Sequence, residues 1–166
     1  MKTLFVDMDG VLSDFDARYQ SEFGKLPQEV RDHKERGEYS RLWNKFIDDQ
    51  NFKSLPYFDG AEELIEFINE LTGVRVCILT SSGGFDHHRD VQEQKLFWLR
   101  SRGIKWPAIV VPGRRFKARF TDGQQTALID DTFDVIQSFN NAGGLGIHHK
   151  PHEKWNTYYQ VEQWLR

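Results

Sequence analysis

Two aspartates, Asp7 and Asp9, follow an apolar run near the start of the chain, within the segment TLFVDMDGVLSDF (3–15). The run Leu4–Val6 predicts a buried strand, and the two carboxylates come directly after its end. Carboxylates this close repel each other, so they need a cation or a shared proton. Ligands of α/β sheets bind at the carboxyl ends of the strands. A divalent metal and a phosphate ester would explain both the pair and its position.

Short apolar segments alternate with helical patterns along the rest of the chain. The predicted strands are Leu4–Val6, Val74–Leu79, Ile109–Val111, Ala127–Ile129 and Leu145–Ile147, and the predicted helices are Gly60–Leu71, Asp90–Arg102 and Thr132–Asn141. In the second helix the apolar spacing runs from Val91 through Lys95 or Leu96 to Leu99. This alternation predicts an α/β fold, a Rossmann-like parallel sheet sandwiched by helices.

Residues 15–58 interrupt the alternation. They contain no strand pattern and are strongly charged, with aromatic residues at Tyr19, Phe23, Tyr39, Trp43 and Phe46. A helical insertion directly after the first strand would lie over the carboxyl end of that strand. We therefore expect a small helical cap over residues 15–58 and a core domain formed by residues 1–14 and 59–166. The alternative is an amphipathic helix pair packed on the sheet edge.

Composition excludes several classes of partner. The 166 residues carry a net charge of −3, without the basic surface that binds a nucleic acid duplex. Cys77 is the only cysteine, so no intramolecular disulfide forms, which fits a reducing compartment. Met1–Val6 is too short for a secretory signal, and no apolar stretch approaches the ~20 residues of a membrane span. We expect a cytoplasmic protein without a membrane partner; its oligomeric state is not indicated.

The first two motifs suggest phosphoryl chemistry. In DMDGVL, Asp7 could attack phosphorus and form an aspartyl-phosphate, while Asp9 exchanges protons with the leaving oxygen and with water. The alternative for this motif is a polar turn after a strand. The strand over 74–79 leads into Thr80 and Ser81 and then into glycines, where hydroxyl and backbone N–H groups could bind phosphate oxygens. Many strands, however, end in ordinary Ser-Gly turns.

A lysine precedes the fourth strand. Lys117 lies in GRRFKARFTDG (113–123) and could offset the charge of Asp7 and of a phosphoryl group. Because Arg114, Arg115 and Arg119 surround it, a solvated basic loop is the alternative.

A second carboxylate pair, Asp130 and Asp131, follows the strand Ala127–Ile129. Mg²⁺ prefers oxygen ligands from a few carboxylates, water and substrate phosphate. Asp7, the backbone carbonyl of Asp9 and one member of this pair would supply them. Composition does not decide whether Asp130 or Asp131 is the direct ligand. The other aspartate would act indirectly, through the residues that bind the metal.

Together these motifs resemble those of the haloacid dehalogenase superfamily of phosphohydrolases. DMDGVL is similar to its first motif, ILTS (78–81) to its second, Lys117 to its third and LIDD (128–131) to its fourth. Within the superfamily the chain most resembles the 5′(3′)-deoxyribonucleotidases, through DMDGVLSDF, the pattern of residues 51–61, the Thr80-Ser81 pair and IDD. It departs from them at Ser82-Gly83-Gly84-Phe85, where these nucleotidases usually carry a proline and an aromatic-rich segment.

The resemblance implies a role for each residue. Asp7 would be the nucleophile, Asp9 the acid/base, and Thr80, Ser81 and Lys117 the phosphate ligands. Mg²⁺ would be bound by Asp7, the Asp9 carbonyl and Asp131, and Phe15 would contact a nucleoside from the cap.

The leading hypothesis is a magnesium-dependent phosphomonoester hydrolase acting on a nucleoside monophosphate. One alternative keeps the chemistry but changes the substrate to a sugar phosphate or another small phosphoester. Another is an idle metal- and phosphate-binding module that works through partners. Asp9 argues against the idle module and against dehalogenases, which lack this second carboxylate. A zinc site is the less favoured interpretation of the irregularly spaced histidines His87, His88, His148, His149 and His152.

Overall fold

Five parallel strands form the centre of the fold in a computed structural model that describes residues 1–32 and 36–166. They are β1 (Lys2–Val6), β2 (Val74–Ser81), β3 (Ala108–Val111), β4 (Thr126–Asp130) and β5 (Leu145–His148), in the sheet order β3-β2-β1-β4-β5. Each strand contains one of the predicted apolar segments. The parallel sheet is therefore confirmed.

Helices connect the strands and cover both faces of the sheet. They are α1 (Phe15–Phe23), α2 (Pro27–Asp32), α3 (Arg36–Asp48), α4 (Ala61–Glu70), α5 (His88–Ser101), α6 (Phe133–Asn141) and α7 (Lys154–Leu165). Helices α4, α5 and α6 confirm the three predicted helices. Helix α7 lies in a part of the chain for which no helix was predicted.

The core consists of two layers because side chains alternate across each strand. Leu4 and Val6 of β1 belong to a cluster with buried residues of α4, α5 and α7. Phe5, between them, belongs to a second cluster with Phe139 of α6 and Leu128 of β4. This two-sided coverage is the predicted Rossmann-like sandwich.

The register of the strands brings the polar strand ends together. Val6 of β1 lies beside Ile78 of β2 and beside Ile129 of β4. All strands run in parallel, so the residues that follow these three positions emerge at one edge of the sheet. Asp7, Thr80 and Asp130 therefore meet at that edge.

The described part of the insertion between β1 and α4 contains helices and no strand. It contains α1, α2, α3 and a 3-10 helix over Asn51–Ser54, while residues 33–35 of the predicted cap lie outside the described residues. The chain enters and leaves the insertion at one place, since the Asp14 N–H donates to Pro56 O and the Phe58 N–H to Leu12 O, each at 2.9 Å.

Aromatic rings hold the insertion together. Phe15 of α1 stacks on Phe52 with ring centroids 5.7 Å apart, and Phe46 of α3 lies 5.0 Å from each of these two rings. Tyr19 lies 6.1 Å from Phe46, and both are completely buried. The insertion therefore has an apolar centre of its own, continuous with the larger core cluster.

No helix in the described residues combines the length and the apolar character that crossing a membrane requires.

Replacing Phe46 tests this aromatic centre. We expect Phe46→Ala to lower the free energy of unfolding by about 3–5 kcal/mol, because it leaves a cavity between α1, α3 and the 3-10 helix. Urea unfolding followed by circular dichroism measures the change. Tyr159→Ala, which removes a ring that is 60% exposed, should change the same quantity by less than about 0.5 kcal/mol. Equal effects of the two substitutions would show that Phe46 is not part of a packed centre.

Candidate active site

A cavity of about 860 Å³ opens at the carboxyl edge of the sheet, between the strand ends and the insertion. The sequence-predicted residues that line it are Asp7, Asp9, Phe15, Thr80, Ser81, Lys117 and Asp131. The eighth predicted residue, Asp130, is fully buried and does not line the cavity. The structure thus brings together side chains from four separate segments of the sequence and from the insertion.

The turn after β1 is a tight loop. The N–H groups of Val11, Leu12 and Ser13 all donate to the carbonyl of Met8, at 2.7 to 3.1 Å. Gly10 has φ +81°, and a Cβ atom at this position would lie 2.2 Å from Oδ2 of Asp131. Two features therefore require glycine at position 10: the left-handed backbone conformation and the close approach of the Asp131 carboxylate.

Lys117 joins the first and fourth motifs. Its ammonium group lies 2.9 Å from Oδ1 of Asp7 and 2.7 Å from Oδ2 of Asp130. Burial disfavours the charge of Lys117, but the two carboxylates outweigh that effect and raise the pKa of Lys117 above its usual value. Lys117 is only 3% exposed.

The neighbouring arginines behave differently from Lys117. Arg114, Arg115 and Arg119 are exposed in the 3-10 helix Arg114–Phe120 that carries all four residues. Only Lys117 points from this helix into the carboxylate cluster. The alternative of a wholly solvated basic loop thus describes the arginines and not the lysine.

The adjacent carboxylates Asp130 and Asp131 occupy different environments. Asp130 accepts the Lys117 ammonium at Oδ2 and the Thr132 N–H at Oδ1, at 2.7 and 2.9 Å. Asp131 reaches the cavity and has no lysine or arginine within salt-bridge distance among the described residues. Burial of its carboxyl group and the charges of Asp7 and Asp130 raise the pKa of Asp131 to about 8.

One carboxylate oxygen from each of Asp7, Asp130 and Asp131 lies within 4.8 Å of the others. Burial, followed by the charge of Asp130, also raises the pKa of Asp7 to about 6, although Lys117 and Lys95 oppose this. Three clustered carboxylates therefore exceed the positive charge beside them. An all-oxygen donor set with excess negative charge fits Mg²⁺.

The histidines do not gather into a second metal site within residues 1–32 and 36–166. His88 Nδ1 lies 2.7 Å from Ser82 Oγ, and His148 Nε2 lies 2.9 Å from the carbonyl oxygen of Asp131. His149 is buried against the hydroxyl of Thr157. His87 lines the cavity.

The hydroxyl residues at the end of β2 differ in exposure. Thr80 is buried, and its Oγ1 accepts a hydrogen bond from Lys95 at 2.9 Å. Ser81 is partly exposed, and its Oγ accepts the Gly83 N–H at 3.1 Å. Both line the cavity beside Asp7.

Lys95 lines the cavity too, and no role was predicted for it from the sequence. It lies on α5, 1% exposed, with its ammonium 2.9 Å from Oδ2 of Asp9. The available signal was the spacing Val91, Lys95, Leu99, which puts a lysine on the apolar face of the helix. Lys95, rather than the half-buried Leu96, occupies the buried position.

The insertion supplies an aromatic wall. Phe15, Tyr39, Trp43 and Phe52 line the cavity, while Phe46 is fully buried. Trp43 also touches the loop after β2, where a Cβ atom on Gly83 would lie 2.7 Å from its ring. The insertion therefore contacts the core at the loop that follows β2.

No protein-family model matches this chain, and no curated protein matches it. Several solved structures are similar to this chain. A HAD-superfamily hydrolase from Ehrlichia chaffeensis superposes with a TM-score of 0.59 at 15% identity, covering 100% of both chains. A HAD family enzyme from Bacteroides thetaiotaomicron gives 0.53 at 13% identity, covering 96% of this chain and 98% of the other. A dehalogenase gives 0.59 at 11% identity, covering 94% and 90%. At these identities the similarity shows a shared fold.

The raised pKa of Asp131 predicts how stability depends on pH. In the folded protein its carboxyl group keeps a proton up to a pKa of about 8, against 3.8 for the ordinary group. In chelator-treated protein we therefore expect the melting temperature to fall as the pH rises from about 6.5 to 8.5, because only the unfolded chain has already lost this proton. Asp131→Asn should flatten that slope, and exposed Asp48→Asn should not.

One further group, His149, sets the range of this measurement. Burial lowers the pKa of His149 to about 4, so His149 contributes the opposite slope only below its ordinary pKa of 6.5. Millimolar Mg²⁺ should raise the melting temperature most at high pH, where Asp131 is ionised, and should lose most of this effect in Asp131→Asn. A pH slope unchanged by Asp131→Asn would contradict the assignment.

Proposed function

We propose that this chain, whose fold is that of HAD-superfamily hydrolases, is a magnesium-dependent phosphomonoester hydrolase that acts through an aspartyl-phosphate on Asp7. The observation that carries the proposal is the position of Asp7. It lies at the end of β1, paired with Lys117, in a cavity that also holds a second carboxylate and two hydroxyl groups. The dehalogenase among the structural neighbours shows that the fold alone does not choose the reaction.

The two carboxylate oxygens of Asp7 differ in their contacts with the described residues. Lys117 binds Oδ1, which leaves Oδ2 to attack phosphorus. In that step a bond forms between Oδ2 and phosphorus while the bond from phosphorus to the ester oxygen breaks. The departing oxygen takes a proton from Asp9. Asp9 then accepts a proton from the water that hydrolyses the aspartyl-phosphate, so the enzyme returns to its starting state.

The transferred phosphoryl group needs donors around its other oxygens. We assign this role to Lys117, Thr80 and Ser81, because all three line the same cavity as Asp7. Their donors would bind charge that grows on these oxygens as the bond to the leaving group breaks.

Asp7, the backbone carbonyl of Asp9 and Asp131 would hold Mg²⁺. Asp131 fits a direct ligand better than Asp130 does, because Asp130 is enclosed by Lys117 and the Thr132 N–H. Asp130 then acts indirectly, by fixing Lys117. When bound, the ion would neutralise part of the charge of the phosphoryl group and of the clustered carboxylates.

Residues 15–58 serve as the cap in this proposal, over a core of residues 1–14 and 59–166. The adjacent entry and exit of the insertion and its aromatic wall along the cavity support this division. A dehalogenase reaction is disfavoured by Asp9, which gives the site a proton donor for an oxygen leaving group.

A nucleoside monophosphate is the substrate that we propose. Phe15, Tyr39 and Trp43 line the cavity, where aromatic rings would pack on a base. The cavity of about 860 Å³ also lies within the range of small-molecule sites. A sugar phosphate would use the same phosphate ligands but not the aromatic wall.

A turnover screen tests the reaction and the substrate together. We expect phosphate release from nucleoside 5′- or 3′-monophosphates to exceed release from sugar phosphates, and to require Mg²⁺. Asp7→Asn should lower kcat by about 10⁴-fold or more because the nucleophile is lost, and Asp9→Asn by about 10²–10⁴-fold because proton transfer is lost. Exposed Asp90→Asn serves as the matched control and should retain activity.

The outcomes separate the alternatives. Equal activity on nucleotides and sugar phosphates would remove the nucleotidase assignment and leave the phosphatase. Absence of turnover on every phosphate ester, together with metal-dependent phosphate binding, would favour the idle binding module. Beryllium fluoride, a mimic of the aspartyl-phosphate, should bind only with Mg²⁺ and intact Asp7; failure to bind would contradict the covalent mechanism.

A further inference from the structure

Lys95 is a buried lysine whose three ammonium hydrogens all have acceptors. Its Nζ donates to Asp9 Oδ2 at 2.9 Å, to Thr80 Oγ1 at 2.9 Å and to the carbonyl oxygen of Ser81 at 2.8 Å. Side chains of lysine are rarely this buried without a specific partner. The three acceptors belong to two different motifs of the proposed active site, so Lys95 connects the end of β2 to the turn after β1.

The hydrogen bond to Thr80 fixes the direction of the threonine hydroxyl. Because Oγ1 of Thr80 accepts a hydrogen from Lys95, the hydroxyl must donate its own hydrogen elsewhere. Thr80 lines the cavity, and no described protein group accepts this hydrogen. The hydroxyl is thereby left to donate to an oxygen of a bound phosphate.

The carboxylate of Asp9 is held at both oxygens. Oδ2 accepts from Lys95, and Oδ1 accepts from the hydroxyl of Ser13 at 2.9 Å. Two donors on opposite oxygens fix the plane of a carboxyl group that is otherwise 30% exposed. Without Lys95, Ser13 would be the only hydrogen-bond donor among the described residues that holds this carboxylate.

Helix α5 is itself fixed against the insertion beside Lys95. The side chain of Gln94 donates to the carbonyl of Ile47 at 2.9 Å and accepts the Phe52 N–H at 3.2 Å. The Lys95 ammonium lies 5.3 Å from the centre of the Phe52 ring. Lys95 is therefore held in place from the core and from the insertion.

We infer that Lys95 is a positioning residue that orients Asp9 toward the leaving oxygen and Thr80 toward the phosphoryl group. The inference rests on the proposed phosphatase function and extends it. Lys95 acts through these two side chains and does not itself transfer the phosphoryl group or the proton.

The dependence on the leaving group distinguishes this role from a general structural one. A poor leaving group, such as the alkoxide of an alkyl phosphate, needs its proton from Asp9, whereas p-nitrophenolate departs without one. In Lys95→Met we expect kcat/KM on an alkyl phosphate to fall at least about tenfold further than on p-nitrophenyl phosphate, because misplaced general acids cost about 10²–10⁴-fold where protonation is needed. A loss of packing alone would lower both values by the same factor.

Two further variants complete the test. Gln94→Met removes the neighbouring buried polar group of α5 and its contacts to the insertion, and it should affect the two substrates equally. In an Asp9→Asn background, Lys95→Met should show no selective loss on the alkyl phosphate, because its partner is already disabled. If Lys95→Met does not fold, as judged by circular dichroism, Lys95→Gln carries the same comparison with a neutral amide in place of the ammonium group.

The outcomes keep the two proposals apart. A wild-type protein that hydrolyses neither substrate overturns the phosphatase function, and the role of Lys95 falls with it. An active wild type whose Lys95 variant loses the same factor on both substrates overturns the positioning role alone. A selective loss that persists in the Asp9→Asn background also overturns it, since Lys95 would then act by another route.

Discussion

The buried ion pairs of Lys117 are the constraint on which the rest of the site depends. Its ammonium bridges Asp7 at the end of β1 and Asp130 at the end of β4, two adjacent strands separated by more than a hundred residues of sequence. Removing one partner from such a buried cluster typically costs roughly 3–5 kcal/mol, because a charge is left without compensation. The fold therefore holds Asp7, the proposed nucleophile, and Lys117 in place before any substrate arrives.

One lysine does not balance the three clustered carboxylates, and this imbalance favours the binding of a cation. Asp131 has the largest upward shift, to a pKa of about 8, because its carboxyl group is enclosed and faces Asp7 and Asp130. Gly10 allows this approach, since any side chain there would occupy the position of the Asp131 carboxylate. A divalent ion would remove the repulsion that the protein leaves in place. The proposed metal binding and the predicted pH dependence would thus have a common electrostatic origin.

The part of the cavity that the insertion lines carries aromatic side chains. Rings of the insertion form its wall, and the same rings pack on one another to hold the insertion together. Substitutions that alter substrate contacts at Phe15 would therefore also alter packing, which couples specificity to stability in this region. Structural neighbours at 11–15% identity share the fold across nearly the whole chain.

The sequence by itself determined the five strands, three of the helices and the strand ends that carry the proposed site residues, because apolar periodicity and the carboxylates that interrupt it are local properties. The tertiary structure decided which charges are buried together. Lys117 could not be separated from three neighbouring arginines by spacing, nor could Asp130 be separated from Asp131. Lys95 looked like one of two candidates for an apolar helix position, and only the packing of α5 against Asp9 and Thr80 revealed its partners. The hydrogen bonds of Lys95 join groups that lie 14 to 86 residues apart in the sequence. No sequence periodicity indicates such contacts, because they depend on how whole helices and strands pack together.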